Sequence, residues 1–73
     1  MNLYQSKKNR IYKVISVPDI ELLENLGLRN DSMITVKARY ALGGPVYLRV
    51  EDAFNIALGK DVATQITVRE VLS

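Results

Sequence analysis

The chain contains no cysteine and no histidine. Without cysteine there can be no disulfide, iron–sulfur cluster, thiolate zinc site or cysteine nucleophile. Without histidine the commonest transition-metal ligand, the usual general base and the physiological pH switch are missing too. Ser6, Ser16, Ser32 and Ser73 therefore have no imidazole to activate them, and a serine–lysine pair needs an enclosed lysine that a core this small can hardly supply. No catalysis, no cofactor and no resident metal are expected. Charge of one sign is also scarce: ten Lys and Arg against eight Asp and Glu leave only +2, too little for a polyanion-binding signature without clustering. No apolar run approaches the roughly 20 residues of a membrane helix, and the N-terminus has no signal-peptide core. A soluble, cytoplasmic protein is expected.

What is present is ordinary for a globular domain: 48% hydrophobic and 25% charged residues in 73 positions. That length supports one domain, residues 1–73, with a single small core. Residues 1–9 read as a polar lead-in anchored by Leu3. Residues 10–17, rich in β-branched side chains between Asn9 and Pro18, predict the first strand. Asp19 then caps a helix of about two turns with Ile20, Leu22, Leu23 and Leu26 inward. Gly27 ends it in the left-handed region, and Leu28 folds back as the hydrophobic contact of that cap.

After the polar turn 29–32, the run 33–40 alternates, with Ile34, Val36, Ala38 and Tyr40 on one face and Thr35, Lys37 and Arg39 on the other. A Gly43-Gly44-Pro45 tip leads into a strand over 46–50 with Val46, Leu48 and Val50 inward. Glu51 and Asp52 turn the chain into a fourth strand carrying Phe54, Ile56 and Leu58. One helical turn over 59–64 places Val62 and Ala63 inward, and a last strand contributes Ile66 and Val68 to the core. Mainly β, about five strands and one short α-helix after the first: a small SH3-like barrel, with an OB-fold barrel as the competing topology.

The segment Leu22-Leu23-Glu24-Asn25-Leu26-Gly27-Leu28, the turn Asn30-Asp31-Ser32, and the loop Ala41-Leu42-Gly43-Gly44-Pro45 followed by Val46-Tyr47-Leu48-Arg49-Val50 resemble the FeoA family. The stretch from Phe54 to Ala63 is similar to that family's ending. The resemblance implies an SH3-like barrel and a role in bacterial ferrous iron transport, assisting FeoB, a membrane transporter with a cytosolic GTP-binding domain. Three positions depart from the family pattern: Asn30-Asp31 stands where members often carry Pro-Gly, Gly44 where many carry Asp, and Asn9 where many carry Gly. Asn and Asp tolerate positive φ, so the turns remain feasible. Gly44 removes a carboxylate and is expected to loosen its loop. The same barrel resembles the C-terminal domain of metal-dependent regulators of the diphtheria-toxin-repressor type. The nine residues ahead of the first strand favour a stand-alone module.

Two patches are candidate partner contacts. The loop Ala41, Leu42, Gly43 and Pro45 offers an apolar knob, and Leu26, Gly27 and Leu28 offer a second one unless those leucines seal the barrel. Lys37, Arg39 and Arg49 would then form a polar rim. Exposure of Leu28 decides between contact and core. The expected partner is a FeoB-type transporter, through its cytosolic GTP-binding domain or its membrane part. The glycine pair is not a phosphate loop, because a strand rather than a helix follows it. Glu51, Asp52 and Asp61 read as solvated turns rather than cation ligands. Lys7, Lys8, Arg10 and Lys13, with Tyr12, Tyr40 and Tyr47 as stacking surfaces, carry the alternative of a nucleic-acid-binding or regulatory small barrel. Interleaved Glu and Asp argue against it, so no nucleic acid is expected. Self-association through an open strand edge is a third possibility.

Overall fold

A computed structural model describes residues 1–40, 42–51 and 54–71. The expectations placed on Ala41, Asp52 and Ser73 lie outside the described residues. A 3₁₀ turn (Leu3–Gln5) is followed by β1 (Ile11–Ser16), α1 (Glu21–Asn25), β2 (Met33–Arg39), β3 (Val46–Val50), β4 (Phe54–Leu58), α2 (Lys60–Ala63) and β5 (Thr67–Glu70). The strands form one antiparallel sheet in the order β4-β3-β2-β1-β5. It is a small SH3-like fold whose ends, β4 and β5, are not joined by a ladder among the described residues.

Alternation builds the core. Val46, Leu48 and Val50 from β3 meet Ile34 and Val36 from β2 and Tyr12 and Val14 from β1, all at most 2% exposed. Ile66, Val68 and Ala63 close one side. Leu3 is fully buried in the same cluster, and its N–H donates to the Ile66 carbonyl at 2.8 Å. The lead-in is therefore part of the fold, and its 3₁₀ turn carries a capping box between Asn2 and Gln5.

The helix differs from its expectation at its start. Ile20, not Asp19, is the N-cap, with no side-chain cap bond. In a helix of barely more than one turn only Leu23 reaches the core; Leu22, one position round, is 62% exposed. Its end follows the expectation closely. Gly27 has φ +82°, the Gly27 N–H donates to Glu24 and the Leu28 N–H to Leu23, a complete Schellman motif. Ser32 sits buried beneath it, donating from Oγ to the Gly27 carbonyl at 2.9 Å and accepting from the Arg29 N–H at 3.0 Å. The two Gly-like positions of the family pattern keep left-handed backbone without glycine, Asn9 at φ 64° and Asp31 at φ 74°.

A bulge reshapes β2. Val36 opposes Leu48, but the next pair is Ala38 with Tyr47, leaving Lys37 as the extra residue. Residues directly opposed share a face, so beyond the bulge Ala38 joins the outward Tyr47, and Arg39 joins the buried Val46. The simple alternation is thereby reversed. Tyr40, expected inward, is 56% exposed.

Candidate functional site: the β2–β3 hairpin tip

The tip begins where β2 leaves its register. The Tyr40 N–H donates to the Pro45 carbonyl at 3.1 Å and closes the loop. Within it Leu42 has φ 62° and Gly43 φ 88°. A left-handed backbone is unfavourable for leucine by roughly 1–2 kcal/mol, and Leu42 recovers nothing by burial: its relative exposure is 105%. The loop is held by Tyr4. Its Oη accepts from the Gly43 N–H at 3.0 Å and donates to the Tyr40 carbonyl at 3.3 Å. The leucine thus stands on a pinned backbone, the arrangement in which local strain points to function.

Aromatic and cationic groups surround this latch. Tyr40 and Tyr47 meet edge to face at 5.6 Å between ring centres. The Tyr4 ring has the Arg39 guanidinium 5.9 Å and the Lys60 ammonium 5.5 Å from its centre, within the range of cation–π attraction. The bulge is what turns Arg39 towards Tyr4. A Cβ at Gly44 would lie 2.6 Å from the Tyr40 Cβ, so in this backbone the glycine lets the returning strand pass close to Tyr40.

The other sequence candidates separate from this tip. Gly27 lies against Val50 and Phe54, at the end of β3 remote from the tip, about 13 Å away along the strand. The two patches do not form one surface. Leu28 is fully buried, which corrects its assignment as a contact residue: it is the hydrophobic half of the helix cap. Leu26 is half-buried. The rim divides as well, because the bulge takes Arg39 off the face that Lys37 occupies. Lys37 and Arg49 line a shallow depression with Tyr47 and Asn55 on the outside of the sheet. Tyr12, offered as a stacking surface, is fully buried with its Oη accepting from the Lys7 N–H at 2.8 Å. Arg10 and Lys13 are paired with Glu70 and Asp31, which weakens the basic cluster at the start. Sequence reasoning missed Tyr4 and Lys60; a lone tyrosine in a polar lead-in was the available signal for the first.

Among the described residues no helix is long and apolar enough to cross a membrane, and no cluster of acidic residues is arranged to hold a metal ion. No curated protein matches the sequence. Among solved structures, an iron uptake regulatory protein (FeoA) superposes with a TM-score of 0.86 at 21% identity, covering 97% of both chains. The FeoA protein of Chlorobium tepidum superposes with a TM-score of 0.86 at 24% identity, over 99% of this chain and 71% of that one. A manganese-dependent transcriptional repressor superposes with a TM-score of 0.85 at 21% identity; this chain covers 41% of its length. At such identities these likenesses establish the fold. The sequence itself matches the FeoA domain model over residues 1–70, nearly its whole length, and the chain belongs to the FeoA domain family.

Proposed function

We propose that this FeoA-family protein, associated with ferrous iron transport, acts as a non-catalytic accessory that docks on the cytosolic GTP-binding domain of a FeoB-type transporter through its β2–β3 hairpin tip. The observation that carries this reading is Leu42: wholly exposed, in a left-handed backbone, and pinned from beneath by Tyr4. Burying a leucine is worth roughly 1.5–3 kcal/mol, so one preorganised leucine is a fitting interface anchor. Gly43 and Pro45 shape the loop, and Arg39 flanks it. Lys37 and Arg49 lie outside this contact.

The test is an NMR titration of labelled protein with the transporter's cytosolic domain, with and without guanine nucleotide. Shifts centred on 40–47 and on Tyr4 are expected. Leu42→Asp should abolish them while leaving unfolding within about 0.5 kcal/mol of wild type, as for an exposed site. Leu28→Ala should instead lower stability by about 2–5 kcal/mol and leave the titration of the folded fraction unchanged. Equal binding by the Leu42→Asp protein would refute the anchor.

A further inference from the structure

The sheet has two free ends, and they are finished differently. At β5 the chain's own N-terminus covers the edge: Asn2 bridges to Thr67, the Val68 N–H donates to the Met1 carbonyl and the Leu3 N–H to Ile66. β5 also carries Arg69 and Glu70. At β4 the residues are Phe54, Asn55, Ile56, Ala57 and Leu58, without charge or proline. All five pair with β3 in an unbroken register, and among the described residues no further backbone bond reaches them. Phe54, Asn55 and Ala57 are exposed. Edges are normally blunted by lysine, proline, a bulge or a cover, and among the described residues β4 has none of these.

We propose that β4 is the pairing edge for a second copy of this chain, joined antiparallel about a two-fold axis at Ile56. The five residues of β4 are self-complementary in one register, which is what favours a second copy as the occupant. A two-fold perpendicular to the sheet keeps core faces on the same side, so only residues on like faces can oppose each other. Of the registers this allows, the one centred on Ile56 uses all five residues. It sets Ile56 against Ile56, Asn55 against Ala57, and Phe54 against Leu58. Each pair is chemically compatible, and no like charges meet. Phe54, on the core face opposite Val50 yet 41% exposed, gains an apolar neighbour across the axis. A five-residue edge makes a small interface, so the association is weak and governed by concentration. It leaves the hairpin tip of both copies accessible and does not depend on the docking proposed above.

The experiment is sedimentation velocity on the full chain from about 10 µM to about 1 mM, with the Asn55→Lys/Ala57→Lys variant beside it. Both substituted positions are exposed, so circular dichroism and thermal unfolding should match wild type. The wild type is expected to shift from monomer towards dimer across this range, and the double variant to require at least about tenfold more protein for the same shift. Because the chain has no cysteine, Ile56→Cys reports the register directly: it should form a disulfide-linked dimer under mild oxidation much faster than Ile15→Cys on β1. A monomer throughout, a dimer indifferent to the lysines, or equal cross-linking at both positions would each overturn the proposal.

Discussion

Gly44 is the position where the structure makes its most quantitative demand. A Cβ added there meets the Tyr40 Cβ at 2.6 Å and the Tyr40 carbonyl oxygen at 3.1 Å. Carbon atoms settle at about 3.5–4.0 Å, so an overlap of about 1 Å must be relieved. Neither atom is the far end of a flexible side chain. Tyr40 is held on both sides, by its N–H to Pro45 and by its carbonyl to Tyr4, so relief requires the hairpin itself to move. Overpacking of this kind costs about 1–3 kcal/mol, against a total stability of roughly 4–11 kcal/mol for a chain of this length. Gly44→Ala should accordingly lower Tm by roughly 4–8 °C for each kcal/mol lost, measured by circular dichroism. Two companions separate the causes. Gly43→Ala meets nothing within 4 Å but has φ +88°, so its penalty is conformational, about 1–2 kcal/mol. Gly59→Ala has neither obstacle, with φ −66° and open space, and should stay within about 0.5 kcal/mol of wild type. A Gly44→Ala protein that melts with the Gly59→Ala protein would refute the close-approach argument. It would also show that the hairpin tolerates a side chain where the family pattern has Asp.

Two further substitutions test the latch and the helix end. Tyr4→Phe removes the hydroxyl that joins Gly43 to Tyr40 and should cost about 0.5–1.5 kcal/mol; hydrogen exchange at the Gly43 amide should accelerate while amides of β1 keep their protection. Ser32→Ala strips the buried Oγ from the Gly27 carbonyl and the Arg29 N–H, two groups that then lose their partner. A loss of about 1–3 kcal/mol is expected in urea unfolding, with Ser32→Thr recovering part of it if the methyl group is accommodated.

The strands and the core were legible because period-two alternation and a buried face are the same fact seen twice. Ile34, Val36, Val46, Leu48, Val50, Ile66 and Val68 all sit where alternation puts them. The end of α1 was equally legible, since Leu-Gly-Leu after a short helix has a specific backbone solution. What sequence could not show depends on register. One extra residue at Lys37 inverts everything beyond it in β2, moving Tyr40 outward and Arg39 towards Tyr4, and no local signal in a run of alternating residues marks where the bulge falls. The start of α1 was misjudged for a different reason: Asp19 has the chemistry of a cap, but the Ile20 N–H turns back onto the Pro18 carbonyl and the helix begins later. The candidate patches separated because spacing along the chain says nothing of which end of β3 each one meets.

Tyr4 ties stability, tip geometry and the exposed edges to a single short segment. It sits in a 3₁₀ turn whose neighbour Leu3 fills the core and whose Asn2 pairs with β5. The order of the tip therefore rests on contacts made by a residue 36 and 39 positions away in sequence, not on the hairpin alone. Loss of residues 1–5 would remove a buried leucine, uncover the β5 edge and release Gly43 together. Such coupling explains why a strained, fully exposed Leu42 can persist: the energy that holds its backbone is drawn from the core through Leu3 and delivered at the Tyr4 hydroxyl.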